Sequence, residues 1–210
     1  MKEKSQADYY FPPEIISTFP ASFAQPLARI LNQHRSQSLL DIGCGDGALC
    51  RFARTAVPIV AGMEPAVQGF KNAQGAGGDI DYRNLGVYDP PPTEWMGRFD
   101  MIISTEVVEH LYDPNALPKL MKTCLKPGGT VIISTPYHGY IKNLILSLMN
   151  GWDSHHTALW HHGHIKFWSK NSLTKLMQQE GFEFVSFRGI GRFAFVWKSM
   201  MLEFRLAPRT

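Results

Sequence analysis

The sequence predicts an α/β fold: a three-layer sandwich in which a mostly parallel, seven-stranded sheet lies between two layers of helices. Three observations carry that reading. Apolar strand-like runs alternate with helical patterns from about residue 21 to 190, the order that builds a parallel sheet with helices on both faces. The first strand runs through Leu39-Leu-Asp-Ile into a glycine-rich turn, Gly43-Cys-Gly-Asp-Gly47, with a helix directly behind it. The last apolar run, Phe193–Leu206, follows another strand without an intervening helix and so closes the sheet as an antiparallel strand.

Each element has its own justification. Leu27 to Leu31 belongs to a helix ahead of the first strand, Ser38–Ile42, and a helix over about Ala48–Ala56 follows the glycine turn. The second strand is Ile59–Met63, with a helix near Ala66–Ala73 after it and a short third strand near Ile80–Leu85. Asp89-Pro-Pro-Pro-Thr forces a loop, because three prolines cannot continue either kind of ladder. The fourth strand, Phe99–Ser104, leads into a helix beginning near Glu106, and Lys126-Pro-Gly-Gly turns tightly into the fifth, Thr130–Thr135. Beyond Pro136, the residues Tyr140, Ile141, Leu144, Ile145, Leu148 and Met149 form an apolar stripe at helical spacing. Packing of that stripe against the domain is the favoured reading, and a lipid-facing surface is the alternative. Residues 151–164, rich in His, Trp and Gly, read as a loop over the active face, and a helix over about Lys170–Glu180 precedes the strand Phe182–Phe187.

The 210 residues suit one domain, residues 1–210, with residues 137–168 as an inserted substrate or lid segment. A hydrophobic content of 44% and a charged content of 19% are those of a globular protein with a sizeable core. Cys44, Cys50 and Cys124 are odd in number and lack metal-ligand spacing, which points to a reducing compartment. Met1 to Ala7 is polar with no apolar run behind it, and no stretch approaches a membrane span, so the expected location is the cytoplasm. The net charge of +3 is uneven: residues 1–126 hold 12 Lys/Arg against 14 Asp/Glu, and residues 127–210 hold 9 against 4. A basic substrate side favours an anionic partner, although a scatter of solvated cations explains the same numbers.

The glycine turn lacks the Lys-Ser/Thr of a phosphate loop and the Gly-x-Gly-x-x-Gly spacing of a dinucleotide site. Asp41 and Asp46 lie in it instead, and carboxylates suit a cationic or hydroxyl-rich ligand better than a pyrophosphate. Glu64 ends the second strand, where an acid can accept hydrogen bonds from two ribose hydroxyls. Glu106, Glu109 and His110 follow the fourth strand. On a helix these positions share one face, and two carboxylates so placed repel unless a cation lies between them. Acids in a first helical turn are also favoured by the helix dipole alone. Five of the eight histidines, His155, His156, His161, His162 and His164, fall within ten residues that should cover the same face.

Asp41-Ile-Gly43-Cys44-Gly45-Asp-Gly47 and the acid Glu64 resemble the class I S-adenosylmethionine-dependent methyltransferases, over about residues 36 to 190. The resemblance implies a Rossmann-like fold and S-adenosylmethionine as cofactor, bordered by Asp41, Gly43, Cys44, Gly45, Gly47 and Glu64. It also places Val87 and Tyr88 at the adenine, and Thr105 and Glu106 at the methionine end. The Glu-x-x-Glu-His segment is similar to that of the ubiquinone-pathway O-methyltransferases and of the metal-dependent small-RNA 2′-O-methyltransferases. The latter likeness implies Glu106, Glu109, His110 and His164, ahead of Ile165-Lys-Phe-Trp168, as ligands of a divalent metal such as Mg²⁺, Mn²⁺, Fe²⁺ or Zn²⁺. One extra residue before Lys166 leaves His162 as an alternate ligand. The implied chemistry is O-methylation of a small molecule with vicinal hydroxyls, the metal acidifying one hydroxyl and His161 or His156 accepting its proton. An RNA 2′-hydroxyl is the rival acceptor, disfavoured by the lack of basic stripes with interleaved aromatics. A metal-independent methyltransferase and a non-catalytic cofactor-binding protein are the remaining readings. Tyr9, Tyr10 and Phe11, ahead of Pro12-Pro13, form either an N-terminal lid or a packing cluster.

Overall fold

The structure, a computed structural model, describes residues 11–12, 17–156 and 163–207. Tyr9, Tyr10, His161 and His162, and the readings that rest on them, lie outside the described residues. In chain order the elements are α1 (Ala21–His34), β1 (Ser38–Ile42), α2 (Ala48–Arg54), β2 (Ile59–Met63), α3 (Val67–Gly75) and β3 (Asp81–Arg83). Next come β4 (Phe99–Thr105), α4 (Ala116–Cys124), β5 (Leu125–Pro136), α5 (Tyr140–Leu148) and α6 (Trp152–His156). The chain closes with α7 (Lys170–Gln178), β6 (Phe182–Ile190) and β7 (Ser199–Leu206). The strands form one seven-stranded sheet in the order β3-β2-β1-β4-β5-β7-β6. β1 to β5 pair in parallel, and β7 runs antiparallel to both β5 and β6. This is the fold class that the alternating pattern predicts.

Strand periodicity sorts the core into two layers. Leu39, Met101, Ile103 and Ile132 meet Leu27, Ile30 and Leu31 of α1 and Leu49, Cys50 and Ala53 of α2 on one face. Their neighbours Leu40, Ile102, Val131 and Ile133 meet Leu117 and Met121 of α4 and Leu173, Leu176 and Met177 of α7 on the other. Successive side chains on a strand point to opposite faces, so central strands covered on both sides must be apolar throughout. Near the far end of the sheet His34 of α1 ties to Glu203 of β7 at 2.8 Å. The parallel strands all end at one edge, after Ile42, Met63, Arg83, Thr105 and Pro136, and this edge carries the candidate site.

Several sequence expectations are corrected. No helix begins at Glu106: that residue takes a left-handed φ of 55°, its N–H bonds to Ser134 O at 3.0 Å, and only a 3₁₀ turn, Val108–His110, follows. The helix starts ten residues later at Ala116, past Pro114, whose ring disfavours helical backbone at Asp113. β3 spans three residues rather than six, because Asn84 turns its amide back to Glu64 O and Pro65 O at 2.8 and 3.0 Å. β5 starts earlier, at Leu125, with the Pro-Gly-Gly turn absorbed as a register shift between Phe99 and Met101 of its partner strand. β7 starts later, at Ser199, after a turn closed by Lys198 N–H on Ile190 O at 3.0 Å.

The apolar stripe of α5 also departs from the favoured reading. Tyr140, Leu148 and Met149 are 81%, 78% and 75% exposed, whereas Lys142, the helix's lone cation, is buried. Its four methylenes pack inward while Nζ donates to Tyr137 O at 2.7 Å, so the helix is anchored by its lysine face. Residues 151–164 are not all loop, since α6 occupies Trp152–His156. Among the described residues no helix is long and apolar enough to cross a membrane.

Ile133, fully buried at the centre of β5, tests the covered-sheet arrangement. Ile133→Ala is expected to lower the unfolding free energy by about 2–5 kcal/mol, read as a shift of the urea midpoint.

Candidate functional site

The glycine turn is shaped first by the protein's own packing. Gly43, Gly45 and Gly47 all have positive φ, at 78°, 57° and 80°. Val107 lies against Gly43 and the Tyr82 hydroxyl against Gly47, each so close that a Cβ would collide with it. The turn is pinned by Gly43 and Cys44 N–H on Met63 O at 2.9 and 3.0 Å. Asp41 is 1% exposed. Its Oδ2 accepts from Cys50 Sγ at 3.5 Å, and Oδ1 has no hydrogen-bond partner among the described residues. Burial, partly offset by the Cys50 contact and reinforced by the Glu64 charge, pushes its pKa up to about 7.

Glu64 is 6% exposed and accepts Gly45 N–H and Ala66 N–H, each at 2.9 Å, one on each oxygen. Burial raises its pKa, and the two amides oppose the rise. Each oxygen keeps a further lone pair, so the carboxylate both locks the turn and retains acceptor capacity for ligand hydroxyls. The orphaned Asp41 Oδ1 and this spare capacity fit a ligand that brings donors. Phe11 packs across the same place: a Cβ on Gly45 would meet its ring at 3.3 Å, and one on Gly69 at 2.8 Å. Asn72 donates to Pro12 O at 2.9 Å, Ser17 N–H to Asp46 Oδ2 at 2.6 Å and Arg51 to Ser17 O at 2.9 Å. Phe11, Pro12 and Ser17 are therefore held over the glycine turn. Val87 is half-buried against the core, and Tyr88 is 56% exposed with its hydroxyl accepting from Asp113 N–H at 3.1 Å. Cys44 is buried beside Cys50.

At the end of β4 three of the predicted metal ligands come together. One ligand atom from each of Glu109, His110 and His164 lies within 4.8 Å of the others, and His164 Nε2 is 4.0 Å from Glu109 Oε1. Glu109 is 1% exposed. Thr135 Oγ1 donates to its Oε2 at 2.9 Å, and its Oε1 is buried with no hydrogen-bond partner among the described residues. Its carbonyl accepts Ile165 and Lys166 N–H, both at 3.0 Å, which hangs the histidine-bearing segment from the acid itself. Burial and the neighbouring Glu106 charge raise the Glu109 pKa well above the usual range. Burial and His110 lower that of His164 to about 4, so its imidazole is neutral at pH 7. An orphaned carboxylate oxygen facing a neutral imidazole is a donor set that fits a divalent cation.

Glu106 stands outside this trio. Ser134 Oγ donates to its Oε1 at 3.0 Å and Ser199 Oγ to its Oε2 at 3.4 Å, and burial raises its pKa. Thr105 ends β4 directly before it. Ser134 and Thr135 were legible only as two hydroxyls ending an apolar strand, and Ser199 gave no local signal. Behind them, His138 stacks on His156 with centroids 5.6 Å apart, and His155 lies 4.9 Å from His156. Burial, with Lys142 nearby, depresses the pKa of His138 to about 4 and lowers those of His155 and His156. A separate depression lined by His34, Asp100, Lys126 and Arg205 lies at the opposite sheet edge, where a 2.7 Å Lys126–Asp100 ion pair binds the elements together.

Comparison with known proteins gives this geometry a context. The sequence pattern of a family described as "Methyltransferase domain" matches residues 16–186. A ubiquinone biosynthesis O-methyltransferase of a Bradyrhizobium species is 36% identical over 113 residues, covering 51% of this chain and 43% of that protein. One from Dinoroseobacter shibae is 30% identical over 168 residues, covering 76% of this chain and 65% of that protein. The chain thus spans about half the length of the curated relatives it matches. The crystal structure of an S-adenosylmethionine-dependent methyltransferase from Mesorhizobium loti superposes with a TM-score of 0.66 at 16% identity, covering 87% of this chain and 97% of that one. At that identity the likeness is one of fold.

The buried Asp41 makes a pH prediction. With its folded pKa near 7 and an unfolded value of 3.8, the folded state holds a proton through that window that the unfolded state has lost. Stability therefore falls as pH rises from about 4 to 7, by up to a few kcal/mol from this group. Asp41→Asn is expected to flatten that part of the profile in urea midpoints measured at pH 5 and 8.

Proposed function

This chain belongs to the methyltransferase domain family, and we propose that it transfers the methyl group of S-adenosylmethionine to one of two vicinal hydroxyls of a small molecule, a catechol or diol, with a divalent cation at Glu109, His110 and His164. The observation that carries the acceptor half is the buried, unpartnered Glu109 Oε1 facing His164 at 4.0 Å. When bound, the cofactor supplies an electrophilic sulfonium methyl group, and the cation supplies acidification of a coordinated hydroxyl.

The chain's own residues do the rest. Glu64 offers acceptors to the cofactor's ribose, and Asp41 an acceptor deep in the turn. Asp41, Gly43, Cys44, Gly45, Gly47, Val87, Tyr88 and Thr105 complete the cofactor side in this reading. Thr135 orients the Glu109 carboxylate, as partners behind a metal ligand commonly do. Glu106, fixed by Ser134 and Ser199, adds negative charge beside the trio and completes the ligand set if it turns from those serines. The neutral imidazole of His156, whose buried Nε2 has no partner among the described residues, takes the hydroxyl proton. His161 is the other acceptor in this proposal. Residues 137–168 form the substrate segment, since they carry both His164 and the basic groups of α5 and α6. The ubiquinone biosynthesis name of the relatives supports an oxygen acceptor.

Catechol methylation in the presence of Mg²⁺ or Mn²⁺ is the test. EDTA and Glu109→Ala are each expected to reduce the rate at least about 100-fold, and Thr135→Val about 10-fold. Full activity of Glu109→Ala in EDTA overturns the metal assignment.

A further inference from the structure

α5 is inverted, and the inversion has a chemical reading. Its apolar residues face outward, and the side chain it buries is Lys142, 4% exposed. Lysine is almost never buried without a partner of opposite charge. Among the described residues no carboxylate lies within ion-pair distance of Lys142 Nζ; its single hydrogen bond is to the Tyr137 carbonyl at 2.7 Å, which leaves two donors unspent. Glu106 is near enough to favour the charged amine, yet it lies beyond ion-pair distance of it, its two oxygens turned to Ser134 and Ser199. Arg192 opposes the charge, and burial carries the amine down to about 8.

The surroundings define what could satisfy it. Lys142 follows β5, which β4 separates from β1 and its glycine turn, and its charge is felt at His164. Tyr137, whose carbonyl holds the amine, packs edge-on against Trp197 with centroids 5.1 Å apart, and Phe187 lies 5.3 Å from the same indole. Gly189 is bare to let Trp197 in, since any Cβ there would collide with the indole. An aromatic wall, a row of imidazoles and one buried cation thus share a corner.

We infer that Lys142 binds a carboxylate carried by the methyl acceptor, so that the substrate class is an aromatic acid with adjacent hydroxyls. The inference deepens the proposed reaction and rests on it for the hydroxyls, while the carboxylate contact stands on Lys142 alone. One buried amine matches one negative charge, which favours a carboxylate over a dianionic phosphate.

Calorimetry on the protein loaded with S-adenosylhomocysteine and Mg²⁺ tests it with 3,4-dihydroxybenzoate and its uncharged amide. The wild-type protein is expected to bind the acid about 10- to 100-fold more tightly, the range of one charge-assisted hydrogen bond. Lys142→Gln, which keeps a donor for Tyr137 O, is expected to equalise the two ligands, and Lys142→Met serves if that variant does not fold. Equal binding of acid and amide by the wild-type protein, or binding of neither, overturns the inference, as does discrimination that survives in the variant. Methyl transfer is followed separately by product mass. Lys142-dependent binding of the acid without its methylation sinks the proposed reaction and leaves the carboxylate site standing.

Discussion

Burial of carboxylates at one edge of the sheet is the constraint from which the rest of this site follows. Asp41, Glu64 and Glu109 are each at most 6% exposed, and Glu106 follows β4 at the same edge. Taking such groups out of water is costly unless every oxygen finds a donor or a cation. The structure meets most of that demand in named ways: two backbone amides on Glu64, Thr135 on Glu109, and Ser134 with Ser199 on Glu106. Asp41 Oδ1 and Glu109 Oε1 are left over, and they are the two places where ligands are expected.

The same demand explains why remote elements converge. Ser134 and Thr135 sit on β5, and Ser199 opens β7, so the antiparallel strand at the end of the chain supplies a donor to an acid 93 residues earlier. Glu109 in turn holds the segment carrying His164 through two amides on its own carbonyl. Glu109 and the segment that carries His164 are thereby one hydrogen-bonded unit. At the other end, the Phe11 ring rests on two bare glycines, 45 and 69, beside Glu64.

α5 shows how periodicity can mislead. Six apolar residues at helical spacing announce a buried face, yet the buried side chain is Lys142. Amphipathic spacing identifies a helix with two faces and leaves open which one the fold covers. A lysine whose stem packs and whose amine reaches a carbonyl reversed the choice here. The reading of Glu106, Glu109 and His110 as one helical face failed for a related reason. Glu106 N–H is spent on Ser134 O, which extends the β ladder, and the left-handed φ prevents a helix from nucleating. The acid and histidine still converge, through a 3₁₀ turn instead.

Sequence alone determined what is local. Alternation of strands and helices gave the three-layer sheet, and Asp41, the glycines and Glu64 lie within 24 residues, so their turn chemistry is written in consecutive positions. The segment Glu106-Val-Val-Glu-His110 also marked itself by composition. Tertiary structure decided everything that needs residues far apart in the chain. It brought His164 to Glu109, set Glu106 against Ser199, and turned α5 inside out. Such contacts depend on loop closure and on which buried oxygen still lacks a donor, and neither quantity has a period that a sequence can display.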